Sequence, residues 1–128
     1  MDRKEIIKYW IQSSDNDYGA MEYLFKGKNY SWSLFVGHIV VEKLLKAYYI
    51  KNINMPAPYI HDLLRIAEKS RLNLSEEQKN FLDTLTSFNI KARYDDYKLR
   101  FYKMCTKKFS AAQIIKIREF RIWIKKQL

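Results

Sequence analysis

Cysteine, glycine, proline and histidine are all scarce in this chain: one, three, two and two in 128 residues. A lone Cys105 can form no intramolecular disulfide and no cysteine zinc site. With no disulfide framework, a cytoplasmic location is the default expectation. Cys105 itself reads as a small, half-buried apolar filler. Three scattered glycines cannot build a phosphate loop or a dinucleotide fingerprint. So few turn formers favour a few long helices over many short strands. His38 and His61 stand in different segments with no His-Glu-x-x-His pattern, so neither a metal nor a cofactor is expected. No nucleophilic serine signature occurs. The longest apolar stretch, Trp32 to Ile50, is interrupted by His38, Glu42, Lys43 and Lys46. A bilayer helix needs about 20 residues with few or no charges, so a membrane span is excluded. The opening Met1-Asp2-Arg3-Lys4-Glu5 has no apolar signal core.

Apolar residues make up 48% of the chain, enough to argue against disorder. A chain of this length buries roughly two-thirds of its unfolded surface, so one domain spanning 1–128 is expected. The net charge is +10, and it is unevenly placed. Residues 1–90 hold 12 Lys/Arg and 11 Asp/Glu, for +1; residues 91–128 hold 12 Lys/Arg and three acids, Asp95, Asp96 and Glu119, for +9. Such a field attracts a polyanion or acidic partner. The plainer alternative is a solvated basic face that only aids solubility.

Helical periodicity runs through residues 3–26, where Ile6, Ile7, Trp10, Ile11, Tyr18, Met21, Leu24 and Phe25 recur at three- and four-residue steps before Gly27. A second helix is expected over 31–51 with Ser31 as its cap. It is apolar nearly all round, which marks a central or interface-feeding helix. Residues 52–59, with Pro56 and Pro58, form a loop. A short helix follows at 60–71. Ser75-Glu76-Glu77-Gln78 is a capping box opening a fourth helix that buries Phe81, Leu82, Leu85 and Phe88. Residues 89–109 lack a clean period and read as irregular, with a short helix near 96–105. A second capping box, Ser110 to Gln113, opens a last helix over 110–127. The fold class is therefore all-α, an antiparallel bundle of four to five main helices.

Three constellations could carry chemistry. His38 and Glu42 share a face of the central helix with Lys43 and Lys46 close by. Polar groups on an apolar helix are costly unless paired or exposed. They line a polar cleft or a dimer seam, or else form an internal ion pair with surface lysines. His61-Asp62 opens the third helix, where a carboxylate suits the helix dipole; simple capping explains it as well. The stretch Arg93-Tyr94-Asp95-Asp96-Tyr97-Lys98, continued by Arg100, Tyr102 and Lys103, interleaves basic and aromatic residues. Such a pattern can pair phosphates and stack bases, although tyrosines are also ordinary packers.

Taken in order, these segments resemble a known family. Phe35 to Tyr49, with Glu42, Lys43, Lys46 and Ala47 at its centre, is similar to the central helix of HEPN domains. Pro58-Tyr59-Ile60-His61-Asp62-Leu63-Leu64 resembles their Pro-x-x-His-Asp-Leu segment. Phe88 to Asp96 resembles their Asn-Ile-x-Ala-Arg-Tyr-Pro-Asp stretch, with Asp95 in place of the proline. The resemblance covers essentially the whole chain and implies a helical bundle that commonly forms homodimers. Many such domains are paired with a minimal nucleotidyltransferase in toxin–antitoxin-like systems, and many are metal-independent RNases. The RNases carry Arg, four to six residues, then His. Here the positions before His38 are Ser31, Trp32 and Ser33, and those before His61 are Asn54, Met55 and Pro56. The signature is absent and no catalytic residue is assigned. The resemblance therefore implies a noncatalytic module binding nucleotide or RNA phosphate. Its expected ligand residues are Arg93, Tyr94, Asp96, Lys98, Arg100, His61 and Asp62, with His38, Glu42, Lys43 and Lys46 at an interface or cleft. A divergent RNase combining Arg93 with His61, and a pure protein–protein interaction module, are the alternatives.

Overall fold

Four of the six helices described start where a side chain caps them. In α1 (Arg3–Lys26) the Asp2 carboxylate accepts from the Glu5 N–H at 2.8 Å, and the helix stops at Gly27. The turn that follows places Lys28 in the left-handed region, φ 65°. Helix α2 (Tyr30–Ile53) begins at Asn29 without a side-chain cap. Ser31, expected as that cap, lies inside the first turn. Asn54, left-handed at φ 61°, ends the helix two residues later than expected. The structure, a computed structural model, describes the backbone of residues 1–128 and every side chain except that of Asp95. The expectation attached to Asp95 thus lies outside the described residues.

Helix α3 (Leu63–Lys69) is shorter than the expected 60–71 because Asp62 is its cap, accepting from the Arg65 N–H at 3.2 Å. Helix α4 (Glu76–Arg93) opens with the expected capping box: Ser75 Oγ takes the Gln78 N–H and Gln78 Oε1 takes the Ser75 N–H. It continues through residues 89–93, which the sequence reads as irregular. Only Tyr94 separates it from α5 (Asp95–Met104). Helix α6 (Lys107–Lys125) starts three residues before its expected position. Thr106 caps it, and Ser110 is buried inside. The second capping box is therefore not used. Among the described residues there are six helices and no strand: five main helices or helical turns of the expected bundle and α5, the short helix expected near 96–105. Among its described side chains the deep anchor of α5 is Phe101, 5.3 Å from Phe88 between ring centres.

All five other helices pack against α2. Its two apolar sides explain this: Leu34, Val40, Val41, Leu44, Leu45 and Ala47 are all fully buried. Helices α1 and α2 form an antiparallel hairpin. Its polar stitches run along the pair: Ser33 Oγ donates to Met21 O and Ser14 Oγ to Val40 O, both at 2.8 Å, and Arg3 Nε to Ile50 O at 3.2 Å. Below them α2 meets α6 at Gly37. A Cβ there would come within 2.5 Å of Ile117 Cδ1 and 3.2 Å of Met21 Sδ.

Gly37→Val forces side-chain bulk into that contact and should cost about 1–3 kcal/mol by overpacking. A lowered urea midpoint at unchanged m-value would show it. An unchanged midpoint would mean that α2 and α6 are not packed this closely.

Candidate functional site

The spacing of His38, Glu42 and Lys46 puts one residue per turn on a single face of α2, and that face meets the loop before α3. Glu42 is the hub. Its Oε2 accepts from Lys46 Nζ at 3.0 Å and its Oε1 accepts from His61 Nδ1 at 2.9 Å. The Glu42 side chain is 11% exposed and that of Lys46 8%. A carboxylate that far from water needs such partners, since desolvation of a buried ion costs several kcal/mol. The Trp10 ring covers the Lys46 ammonium at 5.7 Å.

Both histidine tautomers follow from their partners. A carboxylate can only accept, so His61 carries its proton on Nδ1. Its Nε2 is left as the other ring nitrogen of a side chain that is 58% exposed. His38 is buried, and its Nε2 donates to the His61 carbonyl at 3.0 Å. Its Nδ1, 3.9 Å from Glu42 Oε1, has no hydrogen-bond partner. Burial pushes the His38 pKa below its ordinary 6.5. The charges of His61 and Arg93 act in the same direction, while the bond to the His61 carbonyl and the Glu42 charge oppose them. His38 is thus a neutral strut, and His61 is the ring that faces solvent.

The remaining expected residues separate. Lys43 points away from this cluster, to Asp17 and Ser13 of α1, both at 2.6 Å. Asp62 caps α3. Arg93, at the end of α4, lays its guanidinium over Phe35 at 5.2 Å and donates from Nε to Asn89 Oδ1 at 2.8 Å. Phe35 lies one turn before His38, which brings the Arg93 charge within reach of that ring. Tyr94, Asp96, Lys98 and Arg100 are exposed along α5. Asp96 sits in its first turn, where a carboxylate favours the dipole. Trp32, Lys98 and Tyr102 help line a hollow of about 170 Å³ beside α5.

Sequence reasoning missed what happens to the charge of α6. Arg118 donates to Glu22 at 3.0 Å, and Arg121 and Lys125 both donate to Asp15, at 3.0 and 2.9 Å. Partial burial raises the Asp15 pKa, but the bonds from Lys125 and Arg121 outweigh it and hold the carboxyl below its ordinary 3.8. The signal was present. Asp15 and Glu22 are two turns apart on α1, as Arg118 and Lys125 are on α6, so both sets fall on one face at helical spacing. Cys105 behaves as the filler expected: burial pushes its thiol up to about 11, which leaves it protonated and unreactive at neutral pH.

Comparison with known proteins agrees with this architecture. The model of the HEPN domain family matches residues 7–127. The crystal structure of TT1696 from Thermus thermophilus superposes with a TM-score of 0.82 over 100% of both chains, at 14% sequence identity. That likeness is one of fold. No curated protein sequence matches the chain. Among the described residues no group of histidine, cysteine or carboxylate side chains could hold a metal ion, and no helix is long and apolar enough to cross a membrane.

The lowered pKa of His38 has a pH signature. Below 6.5 the unfolded chain binds a proton that the folded chain refuses, so stability should fall as pH drops below 6.5. His38→Gln retains a donor for the His61 carbonyl and does not titrate. Its urea-unfolding free energy should lack that part of the slope. Parallel pH profiles for the two proteins would contradict the neutral-strut assignment.

Proposed function

The chain belongs to the HEPN domain family, and from that premise we propose that it is a noncatalytic binding module for nucleotide or RNA phosphate. It acts as a homodimer and as the partner of a minimal nucleotidyltransferase in a toxin–antitoxin-like system. The observation that carries the reading is where positive charge is left unneutralised. On α6, Arg118, Arg121 and Lys125 are engaged by α1 carboxylates. Between α4 and the start of α6, Arg100, Lys103, Lys107 and Lys108 are exposed and hold no ion pair among the described residues. Arg93 completes this stretch with its two terminal amino groups making no hydrogen bond to a described residue. Tyr94, Tyr97 and Tyr102 stand exposed among these cations, at 59%, 47% and 67%. Cations that track a phosphate backbone, with π faces between them, suit single-stranded nucleic acid.

A second reading, a divergent metal-independent RNase, is favoured by one observation: the Glu42–His61 hydrogen bond. A carboxylate that fixes Nδ1–H leaves Nε2 available to move a proton, and Arg93 would stabilise phosphate charge. The two residues come from separate segments, unlike the family's Arg-to-His signature.

Both readings are decided with one labelled single-stranded RNA. Fluorescence anisotropy at about 50 mM salt should give saturable binding that weakens steeply by about 200 mM. Arg93→Ala combined with Arg100→Ala should weaken it roughly tenfold, and each lost phosphate contact should reduce the salt slope by about 0.7. Absence of binding at low salt, or affinity indifferent to salt, sinks the first reading. RNA cleavage that disappears in both His61→Ala and Arg93→Ala would replace it with the second.

A further inference from the structure

The cleft between α4 and α6 lies apart from the basic face and has different chemistry. It encloses about 770 Å³, within the ~300–1,000 Å³ typical of small-molecule sites. Its apolar wall is a chain of three rings: Phe81 and Phe120 are 5.8 Å apart, and Phe120 and Trp123 are 5.4 Å apart. Gln113 of α6 also lines the cleft. It is only 8% exposed, yet its side-chain amide makes no hydrogen bond to another described residue. The amide atoms are not among the enclosed, unpartnered polar atoms of the protein, so they reach the water of the cleft, and a guest there would meet an amide free to pair. The neighbouring Gln78 is already engaged in the capping box with Ser75, and Asn80 and Thr84 stand exposed at the edge, so Gln113 is the amide held deepest in the cleft.

The rim sets the charge of the guest. Glu77 and Glu119 face the cleft with Lys116 as the single opposing cation, so the site is net negative on a chain of net charge +10. The rings are tilted from one another by 41° and 51°, and the face of any one of them can stack a planar guest. A primary amide offers a donor beside an acceptor and pairs with an edge of the same kind, as glutamine does with adenine. An acidic rim disfavours phosphate. We infer that the α4–α6 cleft binds an unphosphorylated planar heteroaromatic molecule, neutral or cationic, whose donor–acceptor edge is read by Gln113. This ligand differs from the polyanion of the basic face in both place and charge.

Isothermal titration of the 128-residue chain with adenine, cytosine and nicotinamide tests this, with adenosine 5′-monophosphate as the anionic control. At least one of the three should bind saturably, and the monophosphate should bind at least tenfold more weakly than adenine if adenine is that ligand. Gln113→Leu, close in volume, should lose about tenfold or more in affinity, the loss expected for a bidentate pair. No saturable binding by any of the three, or binding unchanged by Gln113→Leu, would each overturn the inference.

Discussion

Glu42 is a carboxylate on the most buried helix of the bundle, and much of the local structure follows from keeping it satisfied. Helix α2 must be apolar nearly all round, because every other helix packs on it. A charge placed there is strongly destabilising alone and tolerable when paired and hydrogen-bonded. Lys46 supplies the charge from one turn away, and His61 supplies the second hydrogen bond from across the loop. The loop is held a second time by His38, whose ring donates to the backbone carbonyl of the same residue. Two attachments from one face of α2 therefore fix the segment ahead of α3. That segment contains Pro56 and Pro58 and would otherwise have few constraints. They also fix the His61 ring in one tautomer with Nε2 outward. Position and tautomer of the exposed histidine thus both derive from the packing of α2.

A second constraint divides the positive charge. Partly exposed ion pairs contribute little stability each, about 0–1 kcal/mol. The pairs from α6 to Asp15 and Glu22 therefore matter less as fasteners than as neutralisers. They lower the field along the α1–α6 seam, where Lys116 and Lys126 stay exposed without an ion pair among the described residues, and leave the longer run of uncompensated cations around α5. The acidic rim of the α4–α6 cleft makes the surface more uneven still. A chain of net charge +10 thus presents one basic face with exposed tyrosines, one largely neutralised seam and one mildly acidic cleft.

Features with a local cause were legible in the sequence. The bounds of α1, the capping box at Ser75, the cap at Asp62 and the central character of α2 all follow from neighbouring residues or a single period. The misreadings arose where a local signal was overridden or missing. Ser31 and Ser110 look like caps, but α2 and α6 extend past them toward Asn29 and Thr106. Helix α5 shows no usable period because Phe101 alone anchors it deeply. His38, Glu42, His61 and Arg93 were each singled out, but what joins them is tertiary. A bond from residue 61 to residue 42 has no short-range signature, and the matched spacing on α1 and α6 does not say which two helices meet. The unpartnered amide of Gln113 was hidden for the same reason, since it depends on how α4 and α6 approach each other.

The ion pairs of Arg118, Arg121 and Lys125 leave α5 and its flanks, Lys107 and Lys108 included, as the proposed anion-binding face, and everything proposed for the basic third of the chain rests on that division. Amide chemical shifts followed residue by residue test it most directly, as a short single-stranded RNA is added to the isotope-labelled protein at low salt. Perturbations should cluster from Arg93 to Lys108, with little change along Lys116 to Lys126. Perturbations concentrated on that distal half of α6, with α5 silent, would contradict it.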